Sequence, residues 1–210
     1  MILNYWNNPT ILIISTVTMI MALIFHNIAQ SWVASRYGDN SPRFAGFMNF
    51  DPQQQLEPFG VLFLFLLGFG WPRAVPVNSR NYRGRGRQEA LVWYSGVLAY
   101  LLVGFLCVLL AAIFQSTGSP ELTQAFLTAS SFAVLHAVIN IFPVYPLDGA
   151  RAALAWGNPE VRRVVQQLAS FGILGFLIFF LVLNYLGVIV RLQNLFLRLF
   201  LFLVGLLPGL

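Results

Sequence analysis

Asn140-Ile141-Phe142-Pro143-Val144-Tyr145-Pro146-Leu147-Asp148-Gly149 closes a long apolar run that begins near residue 122. Two prolines prevent a helix from continuing regularly through this stretch, and Gly149 gives the backbone freedom to turn. A helix therefore ends here and presents one carboxylate, Asp148, at the edge of an apolar segment. A second polar group stands inside an apolar run near the N-terminus: Phe25-His26-Asn27-Ile28-Ala29-Gln30. His26 and Gln30 are four residues apart and share one face of a helix. At ~1.5 Å per residue, His26 lies about 15 Å from Arg36, the first charge in the chain.

The chain around these two stretches is made for a bilayer. Of its 210 residues, 58% are hydrophobic and 9% are charged, and the mean hydropathy is +0.75. A soluble domain carries roughly 25% charged residues, so this chain cannot cover itself in water. At ~20 residues per crossing, the length suits a single all-α, polytopic membrane domain over 1–210 with about five transmembrane helices. Spans are expected at 10–33, 90–114, 122–142 and 164–186. The run 61–71 is too short to cross and reads as a re-entrant piece. The tail 190–210 carries Arg191, Asn194 and Arg198 at helical spacing, which suggests a helix at the interface or on the bundle edge. The core is then 10–187. Residues 44–58 and 74–77 read as short strands at the membrane surface.

Charge orients the bundle. No charged side chain precedes Arg36, seven arginines fall within 36–89, and Arg151, Arg162 and Arg163 follow the fourth apolar run. Cytoplasmic loops carry the positive excess, so both Arg-rich loops, and the motifs beside them, are expected on the cytoplasmic side with the N-terminus outside. The +5 net charge is thus a topology signal; no interleaving of basic and aromatic residues points to nucleic acid. The lone Cys107 permits no disulfide within the chain.

Taken together, the two polar stretches resemble the site-2 proteases, membrane-embedded zinc metalloproteases with HExxH in one transmembrane helix and NxxPxPxLDG at the end of a later one. The second motif is matched at Asn140, Pro143, Pro146, Leu147, Asp148 and Gly149. Gly68-Phe69-Gly70-Trp71 followed by Pro72-Arg73-Ala74-Val75-Pro76-Val77-Asn78 resembles the family's GxGW…PVPVN-type segment, and Arg36-Tyr37-Gly38-Asp39 its exit from the first motif helix. The resemblance covers roughly 20–155. It implies zinc held by His26, the residue at position 30 and Asp148, with position 27 as general base. It further implies Asn140 beside the oxyanion, and a groove shaped by Pro143, Pro146, Leu147 and Gly149. Partners would be the lipid bilayer and the transmembrane segment of a substrate or partner protein, taken up by strand addition.

The first motif departs from the family. Asn27 stands at the general-base position and Gln30 at the second ligand. Asparagine cannot take a proton from a metal-bound water, and losing a general base costs about 10²–10⁴ in rate. A neutral amide is a poor zinc donor beside His, Cys or carboxylate. His136, one turn before Asn140, is the other histidine and a candidate third ligand; its plain reading is an interhelical hydrogen bond. Glu57 and Glu89 fall in loops, so nothing replaces the missing glutamate. The expectation is a catalytically impaired protease relative that binds a membrane segment or regulates a partner. The rivals are an active zinc endopeptidase with an atypical site, and a structural or transport protein whose polar residues line a water path.

Overall fold

In a computed structural model, residues 1–84 and 86–207 are described, with Ile173 described for its backbone alone. Asn8 opens the first long helix, α1 (Pro9–Arg36): its Oδ1 accepts from the Ile11 amide at 3.1 Å, and Pro9 occupies the first turn, where no amide is needed. Three short helices follow, α2 (Ser41–Phe44), α3 (Pro52–Gln55) and α4 (Pro58–Leu67). Then come α5 (Gly86–Ser116) and α6 (Pro120–Ile141), joined by a tight turn through Gly118 at φ +74°. The chain ends with α7 (Asp148–Trp156), α8 (Pro159–Ser170), α9 (Gly172–Tyr185) and α10 (Val188–Gly205).

Helices α1, α5 and α6 pack on one another and form the centre of the bundle. Ala125, Ala129, Ala133 and Ala137 recur every fourth residue along α6, and all four have no exposed surface. In a bilayer, where lipid tails remove the hydrophobic drive between helices, such a small-residue stripe lets backbones approach closely. Across that contact Ser130 Oγ donates to the Gly104 carbonyl at 2.8 Å. Ile2, Met19, Leu23, Leu64, Tyr100 and Phe132 fill the space between the central helices and α4.

Four described helices are long and apolar enough to cross a membrane: α1, α5, α6 and α10. The span expected at 164–186 is broken. Helix α8 and the residues from Leu174 onward are bent by 107°, with Gly172 at φ +56° at the junction. Counting that pair as one crossing gives five. The tail lies on the bundle edge as α10, packed on α6 through Ile189, Phe200 and Val204.

The expected surface strands are absent among the described residues; the nearest feature is an isolated antiparallel bridge, Leu56 to Pro72. The reason lies in the local sequence. Ser41-Pro42 and Asp51-Pro52 are helix starts, and Asp51 Oδ1 caps α3 by accepting from the Gln53 amide at 2.9 Å. Phe44, Phe47 and Phe50 recur at a spacing of three, not two. Pro76 removes a donor that a strand over 74–77 would need.

The short run at 61–71 forms a hairpin-like excursion. Helix α4 has ten residues and stops at Gly68, which takes φ +79°, and the chain returns past its own start. A Cβ on Gly60 would lie 2.0 Å from the Trp71 carbonyl, and one on Gly70 would lie 2.2 Å from the Gly60 carbonyl. Both glycines are thus required by backbone-on-backbone contact.

Beyond α1, Asp39 locks the Arg-rich end of the bundle. It is fully buried and accepts from the Asn78 amide (2.7 Å), Asn81 Nδ2 (2.9 Å), the Ser41 amide (3.0 Å) and Tyr82 OH (3.1 Å). Burial pushes its pKa up, but the donors from Asn78, Ser41 and Asn81 outweigh this and hold the carboxyl below its ordinary value. Burial, with Asp39 alongside, pushes the Tyr82 hydroxyl up. A lowered folded pKa gives stability that is present above the unfolded value and lost as pH falls through the folded one. Asp39→Asn is therefore expected to lower thermal stability in detergent at pH 7, by about 1.5–3 kcal/mol for hydrogen bonds to a charged acceptor. The gap between wild type and variant should close as pH drops below ~3.9. Equal melting temperatures at pH 7 would show that the lock contributes nothing.

Candidate functional site

The polar face of α1 meets α5 and the start of α7 in the bundle interior. His26, Asn27, Gln30 and Asp148 are all buried. His26 Nε2 lies 2.6 Å from Asp148 Oδ2, and His26 Nδ1 lies 3.1 Å from Asn27 Oδ1. The orientation of Asn27 follows from its other contacts: Nδ2 donates to the Arg73 carbonyl at 3.0 Å and to the Gln55 carbonyl at 3.4 Å. Its Oδ1 is thereby left to accept from His26 Nδ1–H. Gln30 Nε2 donates to the Trp93 carbonyl at 3.3 Å and stands 3.3 Å from His26 Nε2.

Helix α5 supplies the wall opposite. Tyr100 stacks on His26 with ring centroids 4.7 Å apart. Gly96 is the point of closest approach: a Cβ there would sit 2.4 Å from His26 Nε2 and 2.7 Å from Gln30 Nε2. Trp93, Gly96 and Tyr100 thus form the face of α5 that α1 needs. Their spacing of three and four was the available signal, but helical spacing is also what any packed helix shows.

His136 does not join the cluster. Its Nδ1–H donates to the Phe132 carbonyl at 2.8 Å, and its Nε2 accepts from the Gly70 amide at 3.0 Å. Both nitrogens are spent on backbone, and the residue fastens the return of the α4 excursion to α6. Neither bond is interhelical, because Phe132 lies on α6 itself and Gly70 in the loop after α4, and in this geometry no ring nitrogen is left for a ligand.

A cavity of about 320 Å³ opens on this cluster, lined by His26, Asn27, Gln30 and Asp148 together with Arg73 to Val75 and the end of α6. Pro146, Leu147 and Asn140 line it as the second motif implied. Asn140 Nδ2 donates back to the His136 carbonyl at 2.9 Å. Pro143 is exposed and Gly149 is buried against the end of α6, where a Cβ would lie 2.2 Å from the Ile141 carbonyl; neither lines the cavity. Glu57, expected in a surface loop, lines it instead. Its Oε2 accepts from the Gly60 amide at 2.5 Å, so it caps α4 while its carboxylate borders the cavity.

The donor set does not fit a catalytic zinc ion. Among the described residues, no three His, Cys, Asp or Glu side chains are grouped so as to hold a metal. His26 and Asp148 are the ordinary metal donors of the cluster, and Gln30 offers only a neutral amide.

No family model matches the chain, and no solved structure matches it. Curated proteins do. Over 172 residues it is 31% identical to "Putative zinc metalloprotease YwhC" of Bacillus subtilis (strain 168), covering 78% of each chain. It is 25% identical over 160 residues to "Putative zinc metalloprotease Rip2" of Mycolicibacterium smegmatis, covering 74% of this chain and 61% of that one. It is 26% identical over 172 residues to Rip2 of Mycobacterium tuberculosis (H37Rv), covering 77% and 64%. The chain belongs to the site-2 protease family. It spans less than two thirds of the length of the Rip2 relatives.

The closeness at Gly96 gives a direct check on the cluster. Gly96→Ala forces a methyl against His26, and overpacking of this kind costs about 1–3 kcal/mol. The melting temperature in detergent should fall, whereas Gly205→Ala, which meets no atom within 4 Å, should leave it unchanged or slightly higher. Equal behaviour of the two variants would mean that α5 does not press on the cluster.

Proposed function

We propose that this chain is a pseudoprotease of the site-2 family, which keeps the membrane bundle and its cavity to hold a transmembrane segment and does not carry out ordinary zinc hydrolysis. The observation that carries this reading is the donor set: Asn27 and Gln30 put amides at two motif positions, which leaves His26 and Asp148 without a third His, Cys, Asp or Glu among the described residues. The Asn27 amide is committed to two backbone carbonyls and His26, so it acts as a clamp where hydrolysis needs a base. The cavity itself is intact and mostly apolar. Trp71 to Val75 run along it without regular structure, a backbone that an unwound segment of a partner helix can pair with.

Photoactivatable probes at Trp71, Ala74 and Asn140, with helical membrane peptides added in proteoliposomes, test this reading. The expected result is crosslinked peptide of unchanged length. An absence of capture above the level of a probe on the opposite face, such as Leu201, rejects the binding role.

A second reading is favoured by Glu57, because a second carboxylate borders the same cavity as Asp148. In that reading the protein retains endopeptidase activity that depends on Glu57. Shortened peptide that disappears in Glu57→Gln establishes it; intact peptide throughout dismisses it.

A further inference from the structure

A second, more polar pocket of about 800 Å³ lies at the Arg-rich end of the bundle. Three arginines from three separate elements line it: Arg80 from the 3-10 turn Ser79–Asn81, Arg151 from α7 and Arg162 from α8. Among the described residues, Glu89 is the single acidic one lining it, and none of the three arginines has a carboxylate within 4.0 Å.

Two of these side chains are held in place. The Arg151 guanidinium lies 4.6 Å over the Trp93 ring, and Arg162 Nη2 donates to the Ala155 carbonyl at 3.0 Å. That same carbonyl receives the start of α5, where a Cβ on Gly86 would come within 1.7 Å of it. Gly86 therefore brings the N-terminal end of a 31-residue helix to the pocket wall, and a helix N-terminus favours negative charge. Ser79 and Tyr82 also line the pocket.

We infer that this pocket is a binding site for a phosphate group carried by an anionic ligand. Three guanidinium groups against one carboxylate leave an excess of positive charge that solvent alone must screen. The planar fork of arginine matches phosphate oxygens two at a time. The Arg-rich end is also where the charge pattern expects the cytoplasmic leaflet, and basic pockets between helices on that side hold anionic headgroups. A phospholipid headgroup and free phosphate share this chemistry. Arg151 also lines the His26 cavity, so an anion drawn to its guanidinium sits next to the wall of the candidate site.

Thermal unfolding of the full chain in a neutral detergent separates the sources, with phosphatidylglycerol, phosphatidylcholine and inorganic phosphate as the added probes. Phosphatidylglycerol is expected to raise the melting temperature by several degrees more than phosphatidylcholine, with the gain shrinking as sodium chloride is added. The gain should fall by half or more in Arg80→Gln and in Arg162→Gln and persist in Arg43→Gln, an exposed arginine outside the pocket. Arg80 makes no side-chain hydrogen bond among the described contacts, so its variant tests the site without disturbing the fold. Stabilisation by inorganic phosphate with the same dependence on Arg80 also supports the site and assigns it to a soluble ligand. No stabilisation by either anion, or a gain untouched in both pocket variants, overturns the inference.

Discussion

The contact between His26 and Asp148 is the constraint on which the rest of this structure depends. It joins the middle of α1 to the first residue of α7, which are 122 positions apart in sequence. A polar side chain placed inside a bilayer-spanning bundle must find its partners within the protein. His26, Asn27 and Gln30 do so through a carboxylate, three backbone carbonyls and one another. Each partner pins a different segment. Asp148 fixes the turn after α6, Gln55 and Arg73 fix the two legs of the α4 excursion, and Trp93 fixes α5. These side chains and Asp148 form one hydrogen-bonded cluster.

That arrangement explains why the fold tolerates the loss of the family's motif. An isolated change at either position would strand its neighbour in a low-dielectric interior. The amide at Asn27 reaches two backbone carbonyls and His26, the amide at Gln30 reaches the Trp93 carbonyl, and Gly96 lets α5 close over the cluster. His136 repeats the logic elsewhere: its two nitrogens bridge α6 and Gly70. The histidines of this protein are therefore both fastening groups in the geometry observed.

Much of this was legible in the sequence because bilayer burial writes a coarse signal. The runs at 10–33, 90–114 and 122–142 became α1, α5 and α6, and the Pro143–Gly149 turn delivers Asp148 to His26 as the motif pairing implied. Mean hydropathy does not resolve direction, however, so 164–186 looked continuous although Gly172 turns the chain there. The surface segments were misread because aromatic residues suggested strands, while the Asp51-Pro52 start already argued for a helix turn. Tyr100, Gly96 and Trp93 were hidden for another reason: an apolar helix carries little periodic contrast, so the face it turns inward is decided by its neighbours. Glu57 was set aside as a loop residue because its place beside the cavity depends on how α4 folds back, which no local pattern encodes.

The proposed pseudoprotease role rests on the amides at positions 27 and 30, which stand in place of a general base and a zinc ligand. The most direct measurement is zinc per chain, by elemental mass spectrometry, of the detergent-purified protein beside an Asn27→Glu/Gln30→His double variant. The expected result is zinc at background in the wild type and near-stoichiometric zinc in the double variant. Near-stoichiometric zinc in the wild type that vanishes in His26→Ala would contradict it and return the chain to the active metalloproteases.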